Sequence, residues 1–234
     1  FAFKADSQEL SEGFYPSGKE VWYKTYSGGL MAINGSPFNA TVKSNKTVEL
    51  CVNDMCRIIN CITCDKTVTS VEAMSFLYSE LESIYLPHSV TSIGASSFLE
   101  SLDLYEVHLG KGLKSIGQGA FANCSYLRYI YCRAAVPPTI GEYAFQNCKM
   151  ASQIIFEGES SVKTIGARAF AGVGSSYGDN LTTVTIPKSV EVIGAYAFYG
   201  CKSLQYVVLS PETLIGADAF EECPALRTVY FRGT

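Results

Sequence analysis

Two apolar residues separated by a single position recur through most of this chain: Ile84/Leu86, Val107/Leu109, Ile130/Cys132, Ile154/Phe156, Val184/Ile186, Val207/Leu209 and Val229/Phe231. A spacing of two is the strand period. Each pair therefore predicts a short strand whose two members enter a core, while a residue such as Val208 between them points away. Three of the strands run into a proline, Pro87, Pro187 or Pro211, which has no N–H to extend a ladder and so ends the strand and starts a turn.

Between the strands a second pattern repeats, Ile-Gly-x-x-Ala-Phe. It runs from Ile116 to Phe121, Ile140 to Phe145, Ile165 to Phe170, Ile193 to Phe198 and Ile215 to Phe220, with Ile93 to Phe98 a close variant and Ser70 to Phe76 a decayed first copy. From Ile to Ile the units measure 23, 24, 25, 28 and 22 residues. Self-similarity at this period marks supersecondary units that bury their apolar faces by stacking on one another, a solenoid. Each unit reads as strand, corner, short extended piece and helical or 3₁₀ turn, the last inserting its Phe into the coil. The glycine after each Ile predicts either a positive φ or close backbone approach between coils. The longest unit carries an insertion at Gly172–Asn180, which maps to a loop on one face, and Arg133–Pro138 stiffens another corner.

Composition supports a folded chain and excludes some partners. Apolar residues make up 47% and charged residues 17%, enough core to offset chain entropy. The net charge of −4, with Lys and Arg scattered among the acids, argues against nucleic acid. No apolar run reaches the roughly 18 residues of a membrane span. The start at Phe1, with no basic stretch leading into an apolar one, is expected of a mature or trimmed chain.

Four of the nine cysteines, Cys124, Cys148, Cys201 and Cys223, stand three residues after the repeat Phe, where other units have Ser101 and Val173. That exchange predicts a small buried slot in which cysteine packs as a small hydrophobe. Cys132 occupies a core strand position in the same way.

Residues 1–65 show no repeat but read as β, and we expect them to be a β-rich N-terminal cap, or the remnant of a small domain, before a solenoid of about seven coils over 66–234. Ser27-Gly28-Gly29 is a hairpin signal, and a turn at Asn53-Asp54 sets Cys51 opposite Cys56. Cys51, Cys56, Cys61 and Cys64 are open to three readings: packed free thiols, disulfides, or a zinc site for which only Cys61/Cys64 has a knuckle spacing.

The order Leu-x-x-Val-x-Leu-Pro, Val-x-x-Ile-Gly and Ala-Phe-x-x-Cys closely resembles the BspA-like leucine-rich repeats of bacterial surface and secreted proteins, over residues 67–234. The resemblance implies an α/β fold class: a right-handed leucine-rich-repeat solenoid, strand-dominated, with short helical or 3₁₀ turns. It implies a non-enzymatic, exported or cell-surface interaction module of adhesion type, and the Val-Pro-Pro-Thr-Ile-Gly variant at 136–141 resembles Bacteroidetes members.

Catalytic motifs are accidents of the repeat or of the Gly/Ser-rich insertion. Gly117-x-Gly119-x-x-Ala122 matches a dinucleotide fingerprint, but the repeat itself supplies Gly117 and no βαβ unit surrounds it. Gly174-x-Ser176-x-Gly178 matches a nucleophile elbow, yet both histidines, His88 and His108, lie upstream and read as surface or rim residues. No metal, cofactor or acid–base site is proposed. The glycosylation sequons, beginning at Asn34, Asn39, Asn45, Asn123 and Asn180, matter only in a eukaryotic secretory pathway.

Function is therefore expected on the outward strand positions, which stack at roughly 4.8 Å per coil. One row reads Tyr85, His108, Tyr131, Ile155, Thr185, Val208, Tyr230; its neighbour contains Tyr129 and Tyr206. Tyr85, His108, Tyr129, Tyr131, Tyr206 and Tyr230 are the candidate contacts for a protein or glycan, such as a host matrix protein, because such side chains offer rigid contact area with a polar tip. The same composition also follows from β-propensity alone, as in a structural spacer displaying another domain, or in a polysaccharide-holding accessory domain. The last strand leaves an open edge, which predicts further coils, an edge-mediated dimer or a monomer with that edge bare.

Overall fold

The computed structural model of the chain describes residues 16–33, 36–52, 55–132, 134, 138–156, 163–174 and 181–231, with side chains described outside 50–57 and 153–156. Three strands come first, β1 (Glu20–Thr25), β2 (Val42–Val52) and β3 (Met55–Cys64). Each coil then adds a two-residue strand and a longer one: β4 (Ser70–Val71) and β5 (Leu81–Tyr85), β6 (Ser92–Ile93) and β7 (Glu106–Leu109), β8 (Ser115–Ile116) and β9 (Tyr129–Cys132). The series continues with β10 (Thr139–Ile140) and β11 (Gln153–Phe156), β12 (Thr164–Ile165) and β13 (Thr183–Thr185), β14 (Val192–Ile193) and β15 (Tyr206–Leu209), β16 (Leu214–Ile215) and β17 (Thr228–Phe231).

The result is a strand-dominated solenoid of about six turns, bounded by the seven short strands, which pair in parallel in the order β16-β14-β12-β10-β8-β6-β4. The longer strands also pair in parallel and in register, so Ile84, Val107 and Ile130 form one core column. Ile84, Val107, Leu109, Ile130, Val184, Ile186, Val207 and Leu209 are all buried as their spacing predicts. In the last coil the equivalent Val229 and Phe231 are exposed.

The third side of the coil departs from the expectation. Among the described residues there is no helix, so the architecture is all-β and turns rather than α/β. Two residues per coil have a left-handed backbone, two before and two after the Phe: Ser96 (φ 52°) and Glu100 (φ 57°), Tyr143 and Asn147 (both φ 58°), or Gly119 and Asn123. Their N–H groups, with that of the Phe, donate to the next coil: Ser96 to Gln118 O at 2.9 Å, Phe98 to Ala120 O at 2.7 Å, Glu100 to Ala122 O at 2.9 Å. The residues between them close turns on their own coil, as Ala120 N does on Gly117 O. A helix would spend its N–H groups within its own segment; here alternate ones join the neighbouring coil, and a lateral ladder replaces the axial one.

The glycine question is settled by space. None of Gly94, Gly117, Gly141, Gly166, Gly194 and Gly216 has a positive φ. A Cβ on Gly117 would stand 2.7 Å from Ala95 N, and one on Gly166 would stand 2.6 Å from Glu142 N, so only a hydrogen fits between stacked backbones. This close approach lets the phenylalanines stack in a continuous ladder. Phe76, Phe98, Phe121, Phe145, Phe170, Phe198 and Phe220 lie with successive ring centroids 4.8 to 5.3 Å apart. Each fully buried ring contributes about 1.5–3 kcal/mol.

At the other end Phe38 extends the ladder onto Phe76 at 5.7 Å, and its backbone bridges Val71. Alongside, β1 pairs antiparallel with β5 and with β3, which carries β2. The register of β2 against β3 sets Cys51 opposite Cys56, as expected, although their side chains and the Asn53-Asp54 turn lie outside the described residues. Cys61 and Cys64 are buried free thiols packed in two different clusters. Three apart on a strand, they face opposite sides and cannot share a metal ion.

One interruption divides the face of longer strands. The longer strands form two sheets, β11-β9-β7-β5-β1-β3-β2 and β13-β15-β17. They separate at the coil that carries the insertion, while the short-strand sheet and the Phe ladder pass through unbroken. The Arg133–Pro138 corner falls largely outside the described residues, and so does the insertion beyond Gly174.

Candidate functional site

The outward positions of the larger sheet converge on a stack of rings. Parallel in-register pairing puts Tyr85 beside His108 and His108 beside Tyr131. Their ring centroids lie 4.3 and 4.5 Å apart and within 18° of coplanar, so the imidazole is held between two phenols. At the antiparallel edge, β1 sets Trp22 opposite Tyr85, and Trp22, Ile59, Cys61 and Tyr85 form a second apolar cluster on this face. Sequence reasoning missed Trp22 because nothing local predicts that β1 will insert between β3 and β5.

These residues are not the open surface that their outward position predicts. Tyr85 is 7% exposed, His108 5% and Tyr131 6%. His108 is thus an interior residue rather than a rim residue. His88 is half-buried and accepts a hydrogen bond from Lys111 N at its Nδ1, 3.2 Å away.

Beside the stack lies a carboxylate whose importance the sequence did not reveal. The Tyr85 hydroxyl donates to Glu106 Oε1 at 2.6 Å, and His108 Nε2 stands 3.6 Å from the same oxygen. Burial by itself would raise the Glu106 carboxyl, but the His108 imidazole, the Tyr85 hydroxyl and the Lys24 ammonium outweigh it and hold the group below the usual carboxylate range. The alternation Glu106/His108 on one strand was the available signal, since residues two apart share a face.

Farther along, Tyr129 is half-buried, with Tyr131 at 6.1 Å, Tyr105 edge-on at 5.4 Å and the Arg128 guanidinium over its ring at 5.7 Å. Burial, together with the hydrogen bond to Tyr129, pushes the Tyr105 hydroxyl up. Tyr206 and Tyr230 stack at 6.5 Å on the separate sheet, Tyr206 half-buried and Tyr230 52% exposed. The single row expected from Tyr85 to Tyr230 is therefore two groups, divided where β11 and β13 part.

The fully buried cysteines of the repeat are packed as small core residues. Burial pushes the Cys124 thiol up to about 12 and Cys132 up to about 11, so both are protonated and unreactive. Gly117 and Ala122, from the apparent nucleotide fingerprint, serve the coil packing described above.

Stacked parallel strands, a glycine column and a Phe ladder define a repeat whose sequence can be compared with known ones. A family model described as the BspA type leucine rich repeat region matches residues 46–176 and 173–234, in 6 copies. The chain belongs to the BspA-type leucine-rich repeat family.

Among solved structures this BspA-type chain is similar to a leucine-rich repeat protein of T. pallidum, at 26% identity over 71% of this chain and 64% of that one, with a TM-score of 0.45. It thus spans 64% of the length of that protein. It is also similar to a leucine rich cell surface protein of Faecalibacterium prausnitzii, at 18% identity over 78% and 67% of the two chains, TM-score 0.31. A third is the pneumococcal vaccine antigen PcpA, at 21% identity over 69% and 42%, TM-score 0.41. No curated protein matches the chain. Among the described residues, no helix is long and apolar enough to cross a membrane.

Proposed function

We propose that this chain is a non-enzymatic interaction module, exported or displayed on a bacterial surface, that holds a protein or glycan against the outward face of its longer strands. Residues 1–65 serve as the cap and 66–234 as the repeat domain. The observation that carries the reading is the ordered Tyr85-His108-Tyr131 stack supporting the more accessible Tyr129, with Tyr206 and Tyr230 as a second accessible pair. Rings already fixed by stacking lose little conformational freedom on binding. Tyr85, His108 and Tyr131 act from beneath, and the accessible tyrosines make the contact.

The test is binding to immobilised matrix proteins and to a glycan array, comparing wild type with Tyr129→Ala/Tyr230→Ala. These two positions are chosen because truncating buried Tyr131 would disturb the fold. Loss of a bound ligand in the double variant supports the face, and unchanged binding removes it. Wild type that binds nothing favours the second reading, a rigid spacer, for which the uninterrupted Phe ladder is the structural basis.

A further inference from the structure

Among the described residues, the lateral ladder of the turn side has an open start. In every later coil, three alternate carbonyls receive N–H groups from the coil before, as Ala95, Ser97 and Leu99 do from Met74, Phe76 and Tyr78 at 3.1, 2.7 and 3.0 Å. The equivalent carbonyls of the first coil are Ala73, Ser75 and Leu77, and among the described residues no N–H donates to them. Among the described residues, the one that the chain brings against this edge is Pro37, which has no N–H to give. Instead Pro37 accepts, through its carbonyl, from Glu72 N at 2.9 Å and Ser75 Oγ at 3.1 Å. The core beneath is closed, because Phe38 stacks on Phe76.

Ser75 and Leu77 line a cleft of about 440 Å³, with Tyr78, Ser79 and Glu80 continuing along one wall and Leu30 to Ile33 forming the other. That volume falls within the range of about 300–1,000 Å³ typical of ligand clefts. Leu30 is half exposed, and Glu80 is an exposed carboxylate among the lining residues.

We propose that this cleft is a docking site for a short extended peptide with a basic residue. Its alternate N–H groups donate to the Ser75 and Leu77 carbonyls, continuing the ladder that joins all the later coils. An apolar side chain lies against Leu30 and Ile33, and the basic side chain faces Glu80. Main-chain bonds of this kind supply affinity while side-chain contacts supply selection, as in strand addition to a sheet edge. The site is separate from the tyrosine face and stands or falls independently of it.

The experiment is a ¹⁵N NMR titration of the whole chain with the acetylated, amidated peptide Ala-Val-Ala-Val-Ala-Lys. Two derivatives, N-methylated on the odd or the even amides, and a Glu-ended analogue complete the set. The expected result is shifts confined to residues 30–33 and 75–80, with one methylation pattern weakening binding at least tenfold and the other leaving it near the parent. The Lys peptide binds more tightly than the Glu analogue, and Glu80→Lys reverses that order. The absence of shifts, shifts centred elsewhere, or equal binding by both methylated peptides would overturn the proposal.

Discussion

The thiol of Cys148 donates to the carbonyl oxygen of Phe121, one coil earlier, at 3.2 Å. The same relation links Ser101 to Phe76 at 2.8 Å, Cys124 to Phe98 at 3.0 Å, Cys201 to Phe170 at 3.2 Å and Cys223 to Phe198 at 3.1 Å. The Phe121 carbonyl already accepts from Cys124 N at 3.3 Å, so the thiol uses its second lone pair. The slot therefore selects a small side chain that can donate, which explains why Ser101 stands where other coils have Cys. Val173 keeps the size and forgoes the bond.

If this is the basis of the slot, Cys148→Ser is more stable than Cys148→Val, and Cys148→Ala is less stable than wild type by about 1–2 kcal/mol through the lost bond and the space left behind. Urea unfolding of the three variants orders them. A purely apolar slot would place Val above Ser.

Thiol reactivity should follow burial along the same column. Cys201 is pushed up by the neighbouring Cys223 thiol and by burial, whereas half-buried Cys223 is lowered, mainly by the Cys201 thiol beside it. With iodoacetamide at pH 7.5, peptide mapping should find Cys223 alkylated well before Cys124 or Cys148. Equal rates across the column would mean that the coils open together.

The two classes of glycine should respond differently to alanine. Gly117→Ala drives a methyl into the backbone of Gly94 and Ala95 and should cost about 3 kcal/mol or more, since neither contact atom belongs to a movable side chain. Gly200 has a φ of 68° and nothing near its missing Cβ, so Gly200→Ala should cost only about 1–2 kcal/mol of backbone strain. Thermal unfolding of the pair separates close approach from conformation.

Glu106 makes stability depend on pH. Its folded-state pKa lies below the ordinary 4.5, so its contribution is present above that value and is lost as pH falls through the lower folded value. At pH 7 Glu106→Gln should be less stable than wild type by about 1.5–3 kcal/mol, the range for hydrogen bonds to charged groups. The gap should close progressively below pH 4.5, and melting curves from pH 7 to pH 3 measure it. A gap independent of pH would show that the carboxylate charge is not involved.

Most of the scaffold was legible in the sequence because it repeats. Ile130 or Val207 could be assigned to the core from the spacing of two, and close approach at Gly117 was one of two readings that the recurrence allowed. The turn was misread as helical because Ala-Tyr-Ala-Phe at 195–198 fits a helix locally, and nothing in those residues shows that their N–H groups will be claimed by the next coil. The six candidate tyrosine and histidine positions were placed on the correct strands, but their accessibility was not legible. Burial depends on what packs over a face, and Trp22 reaches Tyr85 only through antiparallel pairing between segments about sixty residues apart.

The sequence by itself determined the repeat, its period, the inward strand residues and the stacked Phe positions, because these follow from local periodicity and the need of each coil to bury one face. The tertiary structure alone decided that the third side is a ladder of left-handed turns, that the tyrosine row is two groups, and that His108 lies buried beside Glu106. Those outcomes depend on which distant backbone supplies each hydrogen bond and which distant side chain displaces water, and neither is encoded in any single unit.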